Sequence, residues 1–119
     1  MEVVVTGGCG YIGSHVARAF KQNGDKVFIV DRVQRNHTLK DMDGWLIDDF
    51  ASDAALSAIY YFDPDIIVHC AGTSLVGPSI TNPAEYYDNN ITKTLELLDF
   101  VKGFKKTPKL MFSSSASVY

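Results

Sequence analysis

Three consecutive valines, Val3 to Val5, run directly into Thr6-Gly-Gly-Cys-Gly-Tyr-Ile-Gly13. A short β-branched run with no polar alternate position reads as a strand covered on both faces. The glycines restrict what comes next. Gly8, Gly10 and Gly13 satisfy G-x-G-x-x-G, and Thr6-Gly7 with Gly10 and Gly13 satisfies T-G-x-x-G-x-x-G. Strand, glycine turn and helix in that order form the arrangement that seats a dinucleotide's diphosphate. Glycine is needed at the tight turn, at the close approach to the pyrophosphate, and where the helix packs on the strand. The amides of the first helical turn, near Tyr11, Ile12 and Gly13, then point at the anion along the helix dipole.

The rest of the chain alternates the same two kinds of segment. Apolar runs of strand length occur at Val3 to Val5, Lys26 to Val30, Trp45 to Ile47, Ile66 to His69 and Leu110 to Phe112. Between them, Ile12, Val16 and Phe20 recur at helical spacing and Gly24 is placed to end that helix. A shorter helix is expected from about Ala51 to Tyr61, stopping before Asp63-Pro64. The longest begins at Asn82-Pro83, a cap and a first-turn proline, with Glu85 completing a capping-box-like pair. Its apolar stripe reads Tyr87, Ile91, Leu95, Leu98 and Val101, with Gly103 as the stop. Strand and helix alternating in this way imply right-handed crossovers and an α/β, doubly wound, five-stranded parallel sheet.

Composition excludes several classes. With 119 residues, 46% apolar and 21% charged, the chain has the makeup of one globular domain. A net charge of −3 and no basic run argue against nucleic acid. No apolar stretch is long enough to cross a bilayer, and no secretion signal opens the chain, so a cytoplasmic location is expected. Cys9 and Cys70 are too few for a disulfide framework and read as small packing residues; His15, His37 and His69 are scattered and suggest no metal. The acidic stretch Asp41, Asp43, Asp48 and Asp49 reads as largely solvated loop.

The second strand ends at Asp31, at the distance past the glycines where a carboxylate accepts hydrogen bonds from both hydroxyls of an adenosine ribose and repels a 2′-phosphate. NAD is therefore expected over NADP, although Arg32 next door could attract that phosphate. In a doubly wound sheet of this kind the first, fourth and fifth strands lie side by side. Their C-terminal ends, Thr6-Gly-Gly-Cys-Gly10, His69-Cys-Ala-Gly72 and Phe112-Ser-Ser-Ser115, thus gather where open α/β sheets bind ligands.

Thr6 to His15, Asp31, His69 to Gly72, Asn82-Pro-Ala-Glu-Tyr-Tyr-Asp-Asn-Asn90 and Phe112-Ser-Ser-Ser-Ala-Ser-Val-Tyr119 together resemble the N-terminal part of the UDP-glucose 4-epimerases. These belong to the extended short-chain dehydrogenase/reductase enzymes, the NAD-dependent epimerase/dehydratase family. The resemblance implies a Rossmann domain over residues 1–119, with Gly7, Gly10, Tyr11, Ile12 and Gly13 around the pyrophosphate and Asp31, Arg32 and Asn36 around the ribose. It implies Asp48 and Asp49 at the adenine, and Cys70, Ala71, Gly72, Thr73 and Ser74 along the nicotinamide side. Asn90 would hold cofactor-side loops, Ser113 would sit near the cofactor, and Ser115 would hydrogen-bond the 4-hydroxyl of a UDP-sugar. In such enzymes a tyrosine from a Tyr-x-x-x-Lys pair removes that hydroxyl's proton, and hydride passes to NAD and returns to the other face of a 4-keto sugar.

The chain departs from that pattern. Ser74 stands where these epimerases often carry a lysine, and the connection from Asp31 to the third strand is short. No Tyr-x-x-x-Lys occurs in these residues: Tyr11, Tyr60, Tyr61, Tyr86 and Tyr87 are followed four places on by His15, Pro64, Asp65, Asn90 and Ile91, and Tyr119, the last residue given, is not the base in the pattern of such enzymes. The expectation is an incomplete nucleotide-binding domain, truncated before the last strands and the substrate-binding C-terminal part, and inactive alone. Its fifth strand would be an apolar edge, which predicts homo-oligomers. The competing readings are a related sugar-nucleotide dehydratase or reductase, and a non-catalytic dinucleotide-binding module.

Overall fold

The structure, a computed structural model, describes residues 1–70, 83–104 and 106–112, with backbone alone for 83–91. Its elements are β1 (Glu2–Thr6), α1 (Tyr11–Gln22), β2 (Lys26–Asp31), α2 (Asn36–Leu39), β3 (Gly44–Ile47), α3 (Asp53–Phe62), β4 (Ile66–His69), α4 (Pro83–Val101) and β5 (Lys109–Phe112). The five strands are parallel in the order β3-β2-β1-β4-β5. Order therefore reverses between β1 and β4, and Thr6 is the register partner of His69 there. The first, fourth and fifth strands are neighbours as the sequence implies.

Val3, Val4 and Val5 are all fully buried because each face of β1 is covered. Val3 and Val5 pack with α1 and with Leu39 and Met42, while Val4 packs with α3 and α4 through Ala55, Ile59 and Leu97. The four-residue α2 was not legible as a helix, but Leu39 and Met42 plug one end of the first cluster.

Helix ends follow local chemistry. Gly24, at φ 90°, turns the chain out of α1 as expected. The third helix starts two residues later than its apolar pattern suggests, because the Ser52 hydroxyl accepts the Ala55 N–H at 3.1 Å and caps it. It ends at Asp63, whose left-handed φ of 55° precedes Pro64.

The stripe read for α4 is only partly right. Val101 is buried, but Leu95 is 58% exposed and Leu97 is fully buried. The inward face runs through Leu97 and Val101 and passes through Thr94, a polar residue whose hydroxyl bonds a buried histidine. The polar position interrupts the apolar repeat and shifts its apparent phase. Side chains at Tyr87 and Ile91 lie outside those described, as does Asn82, the expected cap. Among the described residues, no helix is long and apolar enough to cross a membrane.

Candidate functional site

The turn after β1 is built on backbone geometry. Gly7 sits at φ 69°, in the left-handed region, and its N–H donates to the Val30 carbonyl at 2.7 Å. Its own carbonyl accepts the Gly10 N–H at 3.1 Å. That oxygen lies where a side chain on Gly13 would go: a Cβ there would come within 2.1 Å of it. Gly8 is needed for a different approach, since its Cβ would meet Ile29 at 2.7 Å. Glycines thus let α1 descend onto the turn and let the turn lie on β2.

Gly10 is the N-cap of α1, with no side chain closing the helix end and no acidic residue in its first turn. Helix geometry leaves the amides of Tyr11, Ile12 and Gly13 without intrahelical acceptors. The result is a positive helix end above the switch point, suited to a diphosphate. Tyr11, 82% exposed, projects beside it with its ring edge-on to His15.

Asp31 joins this turn to the tip of β2. One carboxylate oxygen accepts the Cys9 N–H at 2.8 Å and the other accepts the Val33 N–H at 2.9 Å. Both contacts use backbone donors, so the carboxylate is fixed at the turn with lone pairs left for further donors. Arg32 and Asn36 are exposed on the segment that follows, where Asn36 accepts from the Gln34 amide at 2.9 Å.

The end of β3 lies beside Asp31, because the Asp48 N–H donates to the Asp31 carbonyl at 2.8 Å. The acidic stretch does more than meet solvent. Asp48 accepts the Asp49 N–H at 2.7 Å. Asp49 accepts the Ala51 N–H at 2.9 Å and an ion pair from Lys93 of α4 at 2.6 Å. Burial alone would raise the Asp49 carboxyl, but Lys93, the Ala51 amide and Arg32 outweigh it and hold the pKa below the usual range. Asp43 similarly accepts the Val27 N–H at 2.7 Å and pairs with Lys21 at 2.9 Å.

Beneath the switch point lies a buried polar chain that the sequence did not suggest. His69 Nδ1 is 2.6 Å from the Thr6 hydroxyl, and its Nε2 is 3.1 Å from the Thr94 hydroxyl. The Thr6 hydroxyl also accepts the Cys70 N–H at 3.1 Å. The ring is held edge-on by Phe50 and Phe112. Burial pushes the imidazole down to about 4 from 6.5, so near neutral pH it is an uncharged link between β1, β4 and α4.

Cys9 and Cys70 are not joined in a disulfide; both are buried in one apolar cluster, with thiols raised by burial. Of the expected site residues, Gly7, Gly10, Tyr11, Ile12, Gly13 and Asp31 converge on one turn, with Asp48 and Asp49 beside it and Cys70 at the neighbouring strand end. Ala71, Gly72, Thr73, Ser74, Ser113 and Ser115 lie outside the described residues, and the Asn90 side chain is likewise not described. Thr6, His69, Thr94 and Lys93 were missed. The signal for Thr94 was a polar residue seven before Val101 on an otherwise apolar face.

A family model described as the NAD dependent epimerase/dehydratase family matches residues 3–119. The chain belongs to that family. Its relatives include the UDP-glucose 4-epimerase of Halalkalibacterium halodurans, 37% identical over 122 residues, covering 100% of this chain and 36% of that protein. The UDP-glucose 4-epimerase of Klebsiella pneumoniae is 35% identical over 129 residues, covering 100% of this chain and 92% of that sequence. Among solved structures, the UDP-glucose 4-epimerase of Bifidobacterium longum in complex with NAD⁺ and UDP superposes with a TM-score of 0.83 at 32% identity. That match covers 100% of this chain and 38% of the other. The chain thus spans little more than a third of the H. halodurans and B. longum proteins. Its five parallel strands and flanking helices are the Rossmann-like frame of the epimerase/dehydratase family.

Proposed function

We propose that residues 1–119 are the NAD-binding part of a UDP-glucose 4-epimerase, which interconverts UDP-glucose and UDP-galactose through a 4-keto sugar. The observation that carries this reading is the Cys9 N–H bound by Asp31 at 2.8 Å, which makes the glycine turn, the open end of α1 and the ribose-side carboxylate one unit. Relatives named as UDP-glucose 4-epimerases, one of them solved with NAD⁺ and UDP, support it.

The donor set fits a dinucleotide. Main-chain N–H groups of the α1 first turn suit the diphosphate, and Asp31, with Arg32 and Asn36 beside it, suits the ribose. Asp48 and Asp49 would meet the adenine. Cys70, Ala71, Gly72, Ser74 and Ser113 would line the nicotinamide side, with Asn90 supporting them. When bound, NAD supplies acceptance and return of hydride at the sugar's C4. Ser115 would orient the 4-hydroxyl of the UDP-sugar. Since these residues contain no Tyr-x-x-x-Lys, this chain binds cofactor without turning sugar over. We place it in the cytoplasm as a homo-oligomer.

Calorimetric titration tests the reading. NAD should bind more tightly than NADP, and Asp31→Ala should weaken NAD about tenfold or more through loss of the charged acceptor, a contact of roughly 1.5–3 kcal/mol. No heat with NAD⁺ or NADH would overturn the proposal. Robust UDP-galactose conversion by these 119 residues would overturn its account of the missing base.

A further inference from the structure

We propose that Asp49 is a second determinant of cofactor choice, offsetting the Arg32 cation at the ribose end, while Lys93 tempers Asp49 from α4. This rests on the NAD reading above.

Register and hydrogen bonding place the groups together. Asp31 is the partner of Ile47 across β2 and β3, and the Asp48 N–H bonds the Asp31 carbonyl, so Asp48-Asp49 runs beside Asp31-Arg32. Asp49 cannot swing away freely, because one oxygen holds the Ala51 N–H and the other holds Lys93 at 2.6 Å. It is a fixed, half-buried anion. Arg32 is exposed and directly follows the ribose-side carboxylate. Arg32 also helps hold the Asp49 carboxyl below its ordinary pKa, so the two charges act on each other. Arg32 beside Asp31 would otherwise contradict a preference for NAD. Asp49 removes the contradiction: its field cancels much of what the guanidinium could offer a phosphate dianion, and has little effect on an uncharged 2′-hydroxyl.

Lys93 gives the idea its test. Asp49→Asn and Lys93→Met break the same ion pair, but they change the local charge by one unit in opposite directions. Dissociation constants for NAD and NADP would be measured by calorimetry on the 119-residue chain, at low and at high salt. Asp49→Asn should shift the NAD/NADP affinity ratio toward NADP by about three- to tenfold, and Lys93→Met should shift it the other way by about twofold or more. Asp49→Asn combined with Arg32→Ala should lose the gain. All shifts should shrink at ~1 M salt, where screening acts over ~3 Å. Ratios that stay put, move the same way in both single variants, or persist at high salt would overturn the inference while leaving NAD binding intact. Failure of the unsubstituted chain to bind NAD would instead overturn the reading beneath it.

Discussion

Lowering the pH from about 8 to about 5 should destabilise this domain chiefly through His69. The ring is 4% exposed and its pKa falls from 6.5 to about 4 because burial penalises the imidazolium. The unfolded chain therefore binds a proton that the folded chain refuses across the window from 6.5 down to about 4. Stability from this group is complete above 6.5 and falls as acid is added. At ~1.4 kcal/mol per pKa unit, the loss reaches roughly 2 kcal/mol at pH 5 and about 3 kcal/mol below pH 4. The ion-paired carboxylates Asp43 and Asp49 do not confuse this window, since both are held below 3.8 and titrate at lower pH. Urea unfolding followed by circular dichroism in half-unit pH steps would read the slope.

His69→Phe keeps an aromatic ring between Phe50 and Phe112 while removing the titration, so its stability should be nearly flat from 6.5 to 5. It should also sit lower throughout by about 1–3 kcal/mol for the lost bonds to Thr6 and Thr94. Thr94→Val, which removes only the Nε2 partner, should keep the slope with an offset of about 1 kcal/mol. A His69→Phe protein with the parent's slope, or a His69 ring that titrates near 6.5 by NMR, would refute the argument.

Gly13→Ala should destabilise the fold by about 1–3 kcal/mol or more, because its Cβ meets the Gly7 carbonyl at 2.1 Å and α1 must lift off the turn; thermal unfolding reads this. Gly24→Ala meets no atom within 4 Å and should cost only the left-handed backbone penalty, about 1–2 kcal/mol. Among the described residues β5 is a sheet edge with Met111 and Phe112 half exposed, so the chain should self-associate in sedimentation and Met111→Lys should weaken that. A strictly monomeric parent at high concentration would remove the expectation.

Features carried by short stretches of chain are legible in the sequence. The apolar runs from Val3 and Lys26, the glycines after Thr6, and the acid closing β2 each follow from backbone sterics or from burial on both faces. The errors arose where one element answers another. The α4 stripe was misphased because Thr94 faces inward to meet His69, and α3 began late because Ser52 captures the Ala55 amide. Asp49 reads as solvated because nothing nearby in sequence shows that Lys93 lies across from it.

The sequence by itself determined the strand–turn–helix unit and, with it, the anion-binding end of α1, since the left-handed φ of Gly7 favours glycine and the contact at Gly13 leaves no room for a Cβ. Tertiary structure alone decided that Asp31 grips Cys9, that His69 bridges two threonines 63 and 25 residues away, and that Lys93 reaches Asp49. Those contacts depend on strand order bringing distant residues together, and burial then makes each polar group require the partner it finds there.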